Sequence, residues 1–248
     1  MIKKLSISFL CLILPSFLLR IIGPLLGFKI GKNSRVGFSF LLFDRLEIND
    51  NVKIGHFNLI RCTNIKLRNS SYIKNFNIIH GPINLILNEK AAIGKNNYLR
   101  RSFGNVVYGK STLELGVLTK ITANHFIDLT RSIKIGDYSI VAGVRSQFWT
   151  HGYLHDKTGP GRFRIDGEII IGNNVYIGSN VVINAGVNVA NAITIGSNST
   201  VSKSLNKSGM YVSQGLRFIK NDYDEVKSKL LKIEYKDLIE DVYEKSPK

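Results

Sequence analysis

The sequence predicts an all-β fold: a parallel β-helix of hexapeptide repeats, with an apolar N-terminal segment and a short C-terminal α-helix. Two observations carry this. Toward the C-terminal end, Ile171, Ile177, Ile183, Val189, Ile195 and Val201 fall six residues apart, and Gly172, Gly178 and Gly196 directly follow three of them. Toward the N-terminal end, Ile30, Val36, Leu42, Ile48, Ile54 and Ile60 repeat the pattern, with Gly31, Gly37 and Gly55 behind three of them. An α-helix buries positions three and four apart, and a flat half-buried strand buries every second residue, so neither explains a preferred sixth position. Short strands joined by tight corners and stacked coil upon coil do explain it.

Taken in order, residues 1–27 form the apolar N-terminal piece. Pro15, Arg20 and Pro24 interrupt it, and its uncharged run from Leu5 to Leu19 falls short of the ~20 residues needed to span a bilayer. No small-residue cleavage site follows, so a signal peptide fits poorly. The segment reads as an anchor lying in the membrane interface or as a cap on the open first coil. Residues 28–205 form the β-helix. Between the two blocks the register slips, but Leu67, Ile73, Ile79 and Leu85, then Leu115, Ile121, Ile127 and Ile133, hold the six-residue step. A second aliphatic row, Val175, Val181, Val187 and Ile193, supports the later coils, with Asn173, Asn174, Asn180 and Asn198 at their corners. Residues 206–248 form a C-terminal cap. In this stretch Tyr223, Val226, Leu230 and Ile233 follow helical spacing, and Asp222 is placed to cap the helix.

Composition narrows the partners. The 248-residue chain carries a net charge of +16, and residues 1–110 hold seventeen Lys/Arg against four Asp/Glu. A basic half calls for an anionic partner. The basic residues are scattered rather than interleaved with aromatics on one element, so nucleic acid is not expected, whereas an anionic inner-membrane surface is. Cys11 and Cys62 make no disulfide framework.

The grid breaks after Val141 and resumes at Ile171. The intervening stretch, residues 148–170, reads as a catalytic loop holding Trp149, His151, His155 and Asp156. A long insertion rich in Trp, His and Tyr in a compact domain points to function. His151 is the candidate general base. His125 is the second candidate, and His155 with Asp156 are candidates for orienting the base. A neutral imidazole can take the proton of an attacking hydroxyl, and an oxyanion formed in such a step needs a hydrogen-bond donor.

The run IGNNVYIGSNVVINAGVNV, preceded by the WTHGYLHD stretch, resembles the hexapeptide-repeat O-acetyltransferases, above all those acting on sugars of bacterial surface polysaccharides. The resemblance implies a left-handed helix of triangular section. It implies a homotrimer with acetyl-CoA bound as co-substrate between adjacent subunits, and no metal. It places the catalytic histidine at His151. Asn124, Trp149 and Tyr176 take the acceptor and oxyanion positions, Tyr176 standing where the family usually has Trp. Gly178, Ser179, Ala185 and Gly186 match positions over which the pantetheine arm runs, and Lys203 and Arg217 are the phosphate candidates. The family proline before the final segment is absent here. The function so implied is O-acetylation of a surface glycan or its lipid-linked precursor, by an enzyme that is cytoplasmic and peripheral on the inner face of a bacterial inner membrane. The alternatives are N-acetylation of an amino sugar on the same fold and a non-catalytic β-helix scaffold. A carbonic anhydrase on this solenoid would need a set of zinc histidines, and the only close pair is His151 and His155.

Overall fold

A computed structural model describes residues 2–213, 228, 230–233 and 242–245. Within residues 1–213 three parallel sheets of eight, nine and eight strands wrap around one core. The chain visits a first, a second and a third face in turn. Phe40–Leu42, Leu59–Arg61, Ile78–His80, Tyr98–Arg100, Phe126–Asp128 and Gln147–Phe148 are successive strands of the third face. Lys29 pairs with Glu47 and Ile170 with Asn188, each 18 residues on, so one coil consumes three hexapeptides.

The grid residues point inward. Ile48, Ile54, Ile60, Leu67, Ile73 and Ile79 are all buried, as are Val175, Val181, Val187 and Ile193 of the second row. One grid position differs. Leu41, not Leu42, enters the core, because the strand Phe40–Leu42 buries only its middle residue. The coils also continue past 205: Gly209–Tyr211 pairs with Ile193–Ile195 as the last strand of the second face.

An internal ladder runs up the edge between the second and third faces. Asn58 Oδ1 accepts from the Asn77 backbone N–H and Nδ2, and Asn77 Oδ1 accepts from the same two groups of Asn97. His125 is the next rung. Its backbone N–H donates to Asn97 Oδ1, its Nδ1 accepts the Ser146 N–H at 3.1 Å, and its Nε2 meets Thr122 Oγ1 at 2.9 Å. Burial pushes its pKa down to about 4. The unfolded chain takes up a proton near pH 6.5 that the folded chain refuses until about pH 4, so stability declines as pH falls through that window. The penalty is on the order of 3 kcal/mol once both limits are passed. In His125→Asn, which restores the Asn of the preceding rungs, the melting temperature is expected to lose most of its dependence on pH between 6.5 and 4. Parallel pH profiles for the two proteins would remove His125 as the cause.

The N-terminal piece folds as two helices, α1 (Ile2–Ile13) and α2 (Ser16–Leu26), with Gly27 ending α2 at φ +89°. They cap the first coil. Cys11, Leu19 and Phe28 join the core, Ser8 Oγ donates to the Leu41 carbonyl at 2.6 Å, and the Val36 N–H donates to Ser16 Oγ at 2.8 Å. The other side is apolar and open: Leu5, Phe9, Ile13, Phe17, Ile21 and Leu25, four residues apart, are all exposed. No helix among the described residues is long and apolar enough to cross a membrane.

Gln214–Lys248 forms a separate unit. Of its described residues Ser228 is helical, and two segments depart from the helix expected there. Leu230–Ile233 pairs antiparallel with Val242–Lys245, joining Ile233 to Val242 and Lys232 to Tyr243. β-Branched and aromatic partners across a ladder favour strand over helical spacing. Tyr223, Val226 and Asp222 lie outside the described residues.

Candidate active site

The stretch 148–170 is not an open loop. His151–His155 and Arg162–Asp166 form an antiparallel hairpin, pairing His151 with Asp166 and His155 with Arg162 around the Gly-Pro-Gly turn. It leaves the solenoid at the edge between the third and first faces. At its root Gly167 stacks on Gly186 of the next coil so closely that an added Cβ would strike the Gly186 backbone. Arg164 grips both carboxylate oxygens of Asp166 at 2.7 and 2.9 Å and donates to the Val106 carbonyl, tying the hairpin to a second excursion of the chain.

His151 is oriented by Asp128, one coil below it. Its Nδ1 lies 2.8 Å from Asp128 Oδ2. Asp128 is 2% exposed and collects further donors: Thr150 N–H at 3.1 Å, Thr150 Oγ1 at 2.6 Å and Thr130 Oγ1 at 3.0 Å. An ionised carboxylate only accepts, so Asp128 sets the neutral imidazole's tautomer with the hydrogen on Nδ1. Nε2 then carries the lone pair, and no hydrogen bond engages it among the described residues. Trp149 and Tyr153 flank the imidazole edge-on, with centroids 6.3 and 6.0 Å away. The arrangement is that of a base held by a buried acid.

In the sequence Asp128 stands out only beside His125, three residues before it, and not as a partner of His151. It lies 23 positions from His151, and only the stacking of Phe126–Ile127 on Gln147–Phe148 brings them together. The residues expected to orient the base do not. His155 is exposed on the hairpin, four residues from His151 along an extended strand, which puts it about 13 Å away. Asp156 sits at the hairpin tip, where it accepts from the Lys157 N–H. His125 has both ring nitrogens engaged inside the ladder, which leaves it no nitrogen for a substrate proton.

Asn124 is an exposed corner residue at φ +58°, at the opposite end of its strand from Asp128. It is not brought to the imidazole. Tyr176 stands on the second face, paired with Ile140 and Thr194. Gly178 and Ser179 form the next corner, where Ser179 Oγ meets the Val144 N–H at 3.3 Å. Ala185 and Gly186 do share the edge of His151, on the coil that follows the hairpin root. Ile183 pairs with Val201 and Val189 with Leu205, so exposed Lys203 lies on the corner that follows that of Ala185 and Gly186. His151, Gly186 and Lys203 therefore follow one another along a single edge over two coil steps, roughly 10 Å. Arg217 lies outside the described residues. Among the described residues no group of three or more His, Cys, Asp or Glu side chains is placed to hold a metal ion.

No family model and no curated protein matches the chain. Solved structures do. A hexapeptide-repeat-containing acetyltransferase from Vibrio cholerae, complexed with acetyl coenzyme A, is 24% identical, with 55% of this chain and 72% of that one covered at a TM-score of 0.43. A polysialic-acid-specific acetyltransferase is 22% identical over 68% of this chain and 85% of its own, at 0.38. An N-acyltransferase from Bacillus cereus is 18% identical over 72% and 88%, at 0.35.

Proposed function

We propose that this protein transfers an acetyl group from acetyl-CoA to a hydroxyl of a bacterial surface glycan or its lipid-linked precursor. The observation that carries the reading is His151, its Nδ1 locked by buried Asp128 and its Nε2 open. The acceptor hydroxyl gives its proton to Nε2 while its oxygen attacks the thioester carbon. The tetrahedral oxyanion collapses, the carbon–sulfur bond breaks, and His151 returns the proton to the departing thiolate. No covalent intermediate on the protein is needed, so no nucleophilic Ser or Cys is required.

The edge that follows the hairpin supports the placement of the cofactor. Ala185 and Gly186 leave backbone exposed to a pantetheine arm, and Lys203 lies at the end suited to phosphate. Tyr176, Gly178 and Ser179 belong to another face and corner of the same prism. In a homotrimer with the cofactor between subunits, they contribute from the neighbouring copy. Lys203→Glu is expected to raise the KM for acetyl-CoA by on the order of tenfold with little change in kcat, since a charge-assisted contact is worth about 1.5–3 kcal/mol. An unmoved KM would take Lys203 out of the site.

We also propose that the open stripe of the two N-terminal helices rests on the anionic cytoplasmic face of the inner membrane. Helices of 12 and 11 residues, apolar on one side and packed on the solenoid by the other, suit the interface plane. The deciding assay for the activity follows release of CoA thiol from acetyl-CoA against a panel of glycans. Glycan-dependent release with an ester product supports the reading. An amide product would reassign it to N-acylation, and no release with any acceptor would favour a scaffold.

A further inference from the structure

The outer side of the third face carries a continuous track leading to His151. Leu59, Ile78, Tyr98 and Phe126 stack in register on four successive coils. The Phe126 ring meets Trp149 at 4.8 Å, and Trp149 meets His151. From Leu59 to the coil of Trp149 the track rises four ladder steps, about 19 Å. Beside it runs a second row, Arg61, His80 and Arg100, also in register, in which the two arginines carry the positive charge. The excursion over residues 101–110 forms one wall. Its Phe103 packs against His80 at 4.9 Å and under the Arg61 guanidinium at 4.2 Å. At its far end the track opens into a hollow of about 520 Å³ lined by Leu5, Leu42, Arg61 and Phe103.

Arg61 and Arg100 set the chemistry. Each lies over an aromatic ring, Phe103 at 4.2 Å and Phe126 at 6.0 Å. Stacking occupies the flat face of a guanidinium and leaves its N–H fork free. Among the described residues neither side chain has a hydrogen bond or a carboxylate within ion-pair distance. Two unpaired cations would be costly in an interface between copies, whose cores are depleted of charge. Rings offer flat apolar surface to sugar faces, and the open forks suit carboxylate or phosphate groups spaced along a chain. We infer that the third face binds an extended acidic glycan and feeds it toward His151. This names the acceptor class and rests on the acyl-transfer reading of that histidine.

The test separates binding from chemistry. Wild type, Arg61→Ala, Arg100→Ala, Tyr98→Ala and His151→Ala are titrated with oligogalacturonate, hyaluronan and sialic-acid oligomers of matched length, and with methyl-esterified oligogalacturonate. Wild type and His151→Ala should bind at least one acidic oligomer equally well, even if His151 has no catalytic role. Each arginine variant should bind about tenfold more weakly, and esterification should abolish binding to a galacturonate probe that binds. Melting temperatures of all variants should match, since the substituted side chains other than His151 are exposed. Four results would overturn the inference: no acidic oligomer bound, binding indifferent to both arginines, equal affinity for a DNA oligomer of the same length, or loss of a homotrimer in Tyr98→Ala or Arg100→Ala.

Discussion

His151→Ala should lower kcat for acetyl transfer by on the order of 10²–10⁴-fold, the range a positioned base supplies. The substitution removes the nitrogen that accepts the hydroxyl proton, and the described residues place no second base there. His125 is sealed in the ladder and His155 is remote on the hairpin. Asp128→Asn should cost nearly as much for a different reason. An amide at that position can turn a donor toward His151 Nδ1, which would flip the tautomer and move the proton to Nε2, where the acceptor needs a lone pair. The two variants separate by pH. His151→Ala leaves no titrating base, whereas Asp128→Asn retains one with an altered pH–rate profile. KM for acetyl-CoA should stay near the wild-type value in both. Turnover within threefold of wild type in His151→Ala would end the assignment of the base.

The second large effect concerns the cap. Phe9 and Ile21 are 59% and 67% exposed on the outer side of the two helices, so replacing both with Asp removes nothing from the core. The double variant Phe9→Asp/Ile21→Asp should keep its melting temperature and its turnover on a soluble acceptor. In flotation with vesicles containing anionic phospholipid, wild type should rise with the lipid and the variant should stay behind. Each large apolar side chain buried in lipid contributes about 1.5–3 kcal/mol, so the pair corresponds to on the order of a hundredfold or more in partitioning. Equal flotation would assign the helices to capping alone.

The solenoid was legible because every coil repeats the same demand: one aliphatic side chain in, one tight corner, six residues on. Even so, the strand at Phe40–Leu42 shows the limit, since a run of three apolar residues does not reveal which one turns inward. The hairpin carries a signal of its own. Arg162, Phe163, Arg164, Ile165 and Asp166 alternate around a Gly-Pro-Gly turn, as hairpin strands do. Asp128 carried none, because its role arises from vertical stacking between coils and not from any spacing along the chain. The same geometry puts Asn124 and Tyr176 on a different corner and face of the chain from His151. Nearness to a catalytic histidine in sequence says little in a prism, where a few residues carry the chain round a corner to a different side. In the tail, the helical spacing of Leu230 and Ile233 was real, but cross-strand pairing with Val242–Lys245 outweighed it.

Under the proposed reading, the stack of coils would also act as a ruler. Between the capped strand at Phe40–Leu42 and the strand that delivers His151 lie five ladder steps, about 24 Å. If the cap sits on a bilayer as proposed, the imidazole would stand about that far from it, and sugars closer to a lipid carrier would pass beneath it unmodified. Deleting one whole coil would lower the reach by about 5 Å and shift modification toward the anchored end, with every reacting atom unchanged.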